Sequence, residues 1–221
     1  EKQKSLERDT PWGHVTYLEY RRKVEFGQQE YALIDKYCHE RGILWTASCW
    51  DQPSLDLIEQ FEPEFYKIAS PVLTNDGLLR AHIGKGRPLI VSTGMSTMAE
   101  IDHAAGILAD KVPWMFLHCT SSYPVRAEEI NLRVIDTLRQ RFQRPIGYSG
   151  HEVGLQISLA AAARGSDVLE RHITLDRAMW GSDQAASVEP QGLRRLVRDI
   201  RVIEMSLGDG IKRVYDSEVP M

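Results

Sequence analysis

Two pairs of polar residues, each spaced two positions apart near the end of an apolar run, are best suited to chemistry. The pairs are Ser149 with His151 and Glu170 with His172. If the runs are strands, the members of each pair share a face, because side chains alternate along a strand. Two imidazoles from neighbouring strand ends could hold a divalent metal with open coordination positions, and Glu170 would lie beside it. Hydrogen-bonded structural histidines are the alternative, and spacing alone leaves both interpretations open.

A lysine near the end of another apolar run is the next candidate. Burial of Lys67 without a partner would be costly, so we expect it to bind an anion or to act as an amine nucleophile, unless it is a surface lysine beside a turn. Serines near the ends of four runs could bind a phosphate through hydroxyls and loop amides: Ser70, Ser92, Ser121 and Ser149. Any one of them could equally cap a helix. Together with the lysine, the four serines indicate a phosphate-binding site.

These residues need elements that bring strand ends together. Six apolar runs predict strands, at 43–48, 65–69, 89–92, 115–119, 146–149 and 168–172. Helical periodicity is found at 28–41, 54–60, 78–83, 98–108, 131–141, 155–164 and 191–207. Ser96 or Thr97 before Glu100 predicts a helix N-terminus, and Gly208 and Gly210 predict the end of the last helix. Residues 1–27 show no clear period and are predicted to form a long loop.

The alternation of near-continuous apolar strands with helices predicts a parallel sheet covered by helices. We predict a (β/α)8 TIM barrel over residues 28–210, with its active site at the carboxyl ends of the strands. A complete barrel of this kind needs about 250 residues, so its first two βα units are expected to lie outside this chain. A doubly wound open sheet is the alternative, but no strand is followed by a G-x-G-x-x-G turn.

Composition narrows the range of partners. The chain has 221 residues, 43% hydrophobic and 26% charged, with a formal net charge of -4, as is typical of a soluble globular protein. It contains no basic run for nucleic acid and no apolar stretch long enough for a bilayer, so neither is an expected partner. The three cysteines form no C-x-x-C pair and are interpreted as small buried hydrophobic residues. We therefore predict a reducing, cytoplasmic location.

Several motifs carry more information than periodicity. They are KIAS at 67–70, VSTGM at 91–95, HCTSSYP at 118–124, GYSGH at 147–151, LERHITLD at 169–176, GSD at 181–183 and SVEP at 187–190. In this order and over almost its whole length, the sequence resembles the N-acetylneuraminate (sialic acid) synthase family.

The resemblance implies an enzyme that condenses phosphoenolpyruvate with N-acetylmannosamine or its 6-phosphate. The products would be N-acetylneuraminate or its 9-phosphate and inorganic phosphate, and the cofactor would be Mn²⁺ or Mg²⁺. His151 and His172 match the metal ligands, and Glu170 matches a position that assists catalysis or contacts the sugar. The implied substrate-binding residues are Lys67, Ser70, Ser92, Ser121, Tyr123, Ser149 and Asp183. Among them, Ser121 lies where some relatives have asparagine.

Departures from the family pattern also carry information. Many relatives have aspartate where this chain has Gly150, which removes a carboxylate that could lie beside the metal. The family's first two barrel strands and its C-terminal antifreeze-like domain, which lends an arginine to the other subunit of a homodimer, are expected outside this chain. Residues 211–221 would begin the linker to that domain. We therefore expect little or no activity from the isolated polypeptide.

Three other functions are alternatives to this interpretation. The nearest is a synthase of a related nonulosonic acid, legionaminic or pseudaminic, which uses a different N-acylated sugar. A Schiff-base aldolase would use Lys67 as its nucleophile and need no metal. A degenerate barrel could serve only as a binding module, but the intact Lys67, His151, Glu170 and His172 argue against it.

Overall fold

The computed structural model describes residues 6–219. Its strands are β1 (Glu7–Thr10), β2 (Gly13–Thr16), β3 (Tyr66–Ile68), β4 (Leu89–Ser92), β5 (Trp114–Cys119), β6 (Ile146–Gly150) and β7 (Leu169–Arg171). Its helices are α1 (Tyr17–Val24), α2 (Gln28–Arg41), α3 (Gln52–Glu59), α4 (Asp76–Gly84), α5 (Met98–Leu108), α6 (Ala127–Ile130), α7 (Val134–Phe142), α8 (Gln156–Ala163) and α9 (Pro190–Leu207). Short 3-10 turns follow β3, precede α9 and lie near the end of the described chain.

A five-stranded parallel sheet organises the fold. Its strand order is β3-β4-β5-β6-β7, so each strand pairs with the next along the chain, and the sheet curls into a half-barrel with helices between its strands. The central strands are buried on both faces, which explains their continuous apolar sequence. Tyr66, Phe116 and Tyr148 are among the largest fully buried side chains of the core. The sequence therefore predicted the α/β class and the parallel sheet correctly.

Capping residues fix several helix boundaries. Thr97 Oγ1 accepts from the Glu100 backbone N–H and so caps α5, and the Glu100 carboxylate accepts from the Thr97 backbone N–H, as the sequence predicts. The predicted bounds of α2 and α5 match the structure, and Gly208 lies directly after α9 with a positive φ of 59°. The helix predicted at 131–141 begins three residues later than predicted, at Val134, because Asn131 adopts the left-handed conformation that ends α6.

Two predictions were wrong. Residues 43–48 form no strand, although the run is apolar, because they pair with no strand among the described residues; Ile43 and Leu44 are 61% and 66% exposed. The segment predicted as a loop at 1–27 instead contains the antiparallel β1–β2 hairpin and α1, and its first five residues lie outside the described range. Thr16 caps α1 and forms a reciprocal pair with Glu19, so local capping outweighs the lack of an apolar period.

Within residues 6–219, every helix is too short or too polar to span a lipid bilayer.

Candidate active site

A cleft of about 590 Å³ lies where the parallel strands end. All ten residues that the sequence singled out line it: Lys67, Ser70, Ser92, Ser121, Tyr123, Ser149, His151, Glu170, His172 and Asp183. They come from the ends of β3 to β7 and from the loops that follow, as expected when parallel strands present their carboxyl ends on one side.

One side of the cleft is a chain of charge-assisted hydrogen bonds. The Lys67 ammonium donates to Ser92 Oγ at 2.7 Å and lies 3.5 Å from Glu170 Oε2. Ser149 Oγ donates to the other oxygen of Glu170 at 2.7 Å, because Ser149 and Glu170 are directly opposite each other in the β6–β7 register. Burial lowers the pKa of Lys67, whose side chain is only 12% exposed, and the Glu170 carboxylate offsets part of that effect. The lysine is therefore a buried cation facing the cleft.

The other side is an aromatic and imidazole cluster. The rings of His151 and His172 have centroids 5.1 Å apart, and the Tyr123 ring lies against both, 4.1 Å from the first and 5.5 Å from the second. His151 Nδ1 donates to the Thr120 carbonyl at 2.8 Å, while His172 Nδ1 lies 3.3 Å from Asp183 Oδ2. With both Nδ1 atoms at acceptors, the Nε2 atoms are the ones left with lone pairs for a ligand.

The two imidazoles differ in their electrostatic surroundings. Burial lowers the pKa of His172, and the Asp183 carboxylate only partly offsets this. Burial also acts to lower the pKa of His151, but hydrogen bonds to Cys119 and the Thr120 carbonyl outweigh it and leave that pKa raised. A neutral His172 is the form that can donate a lone pair to a metal.

A second set of small polar groups forms the floor between these sides. The Gly94 amide donates to Ser70 Oγ at 3.1 Å, and Ser70 Oγ lies 3.6 Å from Cys119 Sγ. Any Cβ at position 94 would collide with the Ser121 and Ser70 hydroxyls, so glycine is needed for this close approach. The floor therefore presents hydroxyls and a backbone turn rather than bulky side chains.

The family model for the NeuB family matches residues 1–212. The chain therefore belongs to the NeuB family. Among its relatives, the Homo sapiens protein named N-acetylneuraminate-9-phosphate synthase is 41% identical over 210 residues, which cover 94% of this chain and 58% of the human protein. The Campylobacter jejuni protein named N,N'-diacetyllegionaminic acid synthase is 36% identical, covering 91% of this chain and 61% of that protein.

A solved structure agrees with the fold. It is the N-acetylneuraminic acid synthetase of Leptospira borgpetersenii, crystallised with citrate; it is 37% identical, has a TM-score of 0.83, and the match covers 88% of this chain and 68% of that one. This chain spans 58% of the length of the human relative.

Sequence reasoning missed other residues of this NeuB-family cleft. Trp50 and Met95 line it and are largely exposed, and the buried Cys119 also lines it, whereas the sequence suggested only a small hydrophobic residue. Ser48 was not missed: the sequence places it with the other polar residues at run ends, and it lies in the cleft although its run forms no strand. Trp50 lies two positions after the polar residue that ends the run at 43–48, and this spacing is a signal by which the sequence could have indicated it. Periodicity did not separate Cys119 from the buried Cys49, because one ends an apolar run and the other directly follows one.

No group of three or more His, Cys, Asp or Glu side chains in the described part of the chain is arranged to hold a metal ion. Two imidazoles with tethered Nδ1 atoms are what this NeuB-family cleft offers. Such a donor set fits a divalent ion that keeps its remaining positions for water or substrate oxygen atoms.

Proposed function

We propose that this chain forms most of the catalytic domain of a sialic-acid synthase. The enzyme would condense phosphoenolpyruvate with N-acetylmannosamine or its 6-phosphate and release N-acetylneuraminate or its 9-phosphate together with inorganic phosphate. The observation that carries the proposal is the pairing, in one cleft, of a buried lysine surrounded by serines with a pair of imidazoles. The name and 41% identity of the human relative support the choice of product class.

Phosphoenolpyruvate would bind on the lysine side. Lys67 supplies a cation that is largely shielded from water, and a shielded cation binds an anion more strongly than an exposed one. The hydroxyls of Ser70, Ser92 and Ser121 surround the same space and can donate to phosphate or carboxylate oxygen atoms, and Ser149 could join them when its hydroxyl turns away from Glu170. This arrangement would hold the three-carbon enol with its C3 atom facing the imidazole side.

His151 and His172 would hold Mn²⁺ or Mg²⁺ through their Nε2 atoms. Such an ion, when bound, supplies a Lewis acid for the aldehyde oxygen of the open-chain sugar. Asp183 keeps the His172 ring oriented and, with Tyr123, lies where the sugar must enter. Tyr123 presents a ring face and a hydroxyl to a sugar, which suits recognition of an amphipathic ligand.

Glu170 would move the protons. Its carboxylate lies between the Lys67 ammonium and the Ser149 hydroxyl, on the same strand face as His172. From there it can accept a proton from the water that adds at C2 and return one as the adduct collapses. Cleavage of the C–O bond at C2 then releases phosphate, which Lys67 and the serines stabilise as it leaves.

The remaining features of the proposal concern the whole protein. The proposal includes a complete (β/α)8 barrel built on residues 28–210 and a linker that begins at 211–221. It also includes a homodimer and a cytoplasmic location. The match over 58% of the human relative leaves length for further barrel units and a further domain.

The test is to incubate the full-length protein with phosphoenolpyruvate, Mn²⁺ and a panel of N-acylated sugars, and to measure phosphate release and product mass. We expect turnover with N-acetylmannosamine or its 6-phosphate, loss of activity with a chelator and rescue by Mn²⁺. Borohydride trapping of a pyruvate adduct on Lys67 would instead support the Schiff-base aldolase.

A synthase of N,N'-diacetyllegionaminic acid is the second candidate, supported by the 36% identity to the Campylobacter jejuni protein of that name. In the same assay it would be identified by turnover only with the diacetylated sugar.

A further inference from the structure

Behind the cleft lies a buried ion pair that the proposed reaction does not use. Arg171 and Glu152 have side chains only 3% and 2% exposed, and Arg171 Nη1 donates to Glu152 Oε1 at 2.9 Å. The carboxylate also accepts from the Tyr148 hydroxyl at 2.9 Å and from the Ser158 hydroxyl at 2.6 Å. A fully bonded carboxylate of this kind holds its guanidinium in one position.

The guanidinium also binds backbone from three directions. Nη2 donates to the carbonyls of Glu152 at 2.7 Å and Ala186 at 3.2 Å, and Nη1 donates to the carbonyl of Gly154 at 2.9 Å. One arginine therefore joins β7, the loop after β6 and the segment that leads into α9. Its planar fork can do this, whereas a lysine ammonium with three donors cannot reach all of these acceptors.

Each segment that Arg171 joins carries a residue of the cleft. His172 directly follows Arg171 at the end of β7, His151 directly precedes Glu152, and Asp183 lies three positions before Ala186. Side chains alternate along the strand, so His172 faces the cleft while Arg171 faces the layer behind it. The two members of the ion pair are thus each adjacent along the chain to one of the two imidazoles.

Gly150 packs closely against the Arg171–Glu152 ion pair. A Cβ atom there would lie 2.5 Å from Glu152 Oε2 and 3.0 Å from Arg171 Cδ. The glycine therefore leaves the space that the Glu152 carboxylate and the Arg171 side chain occupy.

We propose that the buried Arg171–Glu152 pair is a positioning device that sets the spacing and orientation of His151 and His172 for a divalent ion. The inference rests on the proposed function, because it takes the two imidazoles as the metal ligands. A pair with only a structural role would affect folding stability and leave metal affinity unchanged.

The test compares two lysine substitutions in the purified protein, Arg171→Lys and Arg87→Lys. Arg87 is the matched control, since it pairs with Glu59 at 3.1 Å, Glu59 accepts from the Tyr66 hydroxyl, and this cluster lies at the amino ends of the strands. Mn²⁺ binding is measured by electron paramagnetic resonance of the free ion, and folding by thermal unfolding. We expect Arg171→Lys to weaken Mn²⁺ binding by about 10- to 100-fold, as loss of the partners of metal ligands does. Arg87→Lys should change Mn²⁺ affinity by less than about twofold.

If Arg171→Lys does not fold, the pair is replaced by apolar residues in the variant Glu152→Leu/Arg171→Met, because apolar replacement of a buried ion pair often preserves stability. This variant should also lose Mn²⁺ affinity. Unchanged Mn²⁺ affinity in a folded variant, with a lowered unfolding temperature, would overturn the positioning role and leave the proposed function standing. A parent protein that bound no Mn²⁺ would overturn the proposed function and this inference with it.

Discussion

Replacement of Lys67 by methionine should separate the role of this lysine in binding from any role in folding. The substitution keeps the aliphatic volume and removes the ammonium that donates to Ser92 and lies 3.5 Å from Glu170. A hydrogen bond to a charged group contributes about 1.5–3 kcal/mol, which converts to a loss of about 10- to 150-fold in kcat/KM for phosphoenolpyruvate.

Lys67→Met should change the free energy of unfolding only slightly. Glu170 is 36% exposed and keeps its bond from Ser149, so it is not left as an uncompensated buried charge. An ion pair that is partly open to solvent contributes about 0–1 kcal/mol, and removal of a shielded lysine relieves its desolvation. We therefore expect the free energy of unfolding of Lys67→Met to lie within about 1 kcal/mol of the parent value.

The assay is phosphate release against phosphoenolpyruvate concentration, run beside urea unfolding monitored by circular dichroism. Lys85→Met is the control, because Lys85 pairs with Asp56 at 3.0 Å near the amino ends of the strands and lies outside the cleft. Turnover by Lys67→Met at a rate within about twofold of the parent would refute the anion-binding role, and so would an equal loss with Lys85→Met.

Other predictions address the metal, packing and pH. His172→Ala should abolish Mn²⁺-dependent turnover and weaken Mn²⁺ binding, since one of two imidazole ligands is lost; equilibrium dialysis measures the binding. Gly150→Ala should lower the free energy of unfolding by about 1–3 kcal/mol, because its methyl group overlaps the Glu152 carboxylate, as urea unfolding would measure. Burial lowers the pKa of His82, whose Nδ1 donates to the Leu78 carbonyl. His82→Leu should therefore reduce the loss of stability between pH 7 and pH 5.

The sign of the His82 effect follows from proton linkage. The folded state keeps this histidine neutral, while the unfolded chain takes up a proton below a pKa of about 6.5. Stability is therefore lost as the pH falls below about 6.5, by at most about 1.4 kcal/mol per pH unit. An unfolding free energy of His82→Leu with the same pH slope as the parent would contradict this account. Full activity of His172→Ala in the complete protein would likewise contradict the metal assignment.

The sequence predicted the strands of the cleft because their signal is local. Strands β4 to β6 are apolar runs buried on both faces. The polar residue at the end of each run can be identified from its position in the sequence alone. The period of two then places Glu170 and His172 on one face without knowledge of the fold. All ten predicted residues consequently fall in one cleft.

The features that the sequence did not predict depend on contacts between distant segments of the chain. The run at 43–48 has strand composition, yet a strand exists only where another strand pairs with it, and composition cannot supply the partner. The β1–β2 hairpin is mostly exposed and has no apolar alternation, and Trp12 next to it contacts Trp180 across the chain. Likewise, no residue near Arg171 in the sequence indicates that its guanidinium pairs with Glu152 and not with solvent.

The strand register connects the local sequence signals with the contacts between distant segments. In the β6–β7 pairing, Ser149 lies opposite Glu170 and Gly150 lies opposite Arg171. The first pair faces the cleft and forms a hydrogen bond, whereas the second faces the layer behind, where glycine makes room for the ion pair. A shift of the register by one residue would exchange the two faces, placing the arginine in the cleft and the histidine behind the sheet. The close fit of Gly150, Glu152 and Arg171 therefore favours one register, and that register is what brings Glu170 and His172 to the cleft.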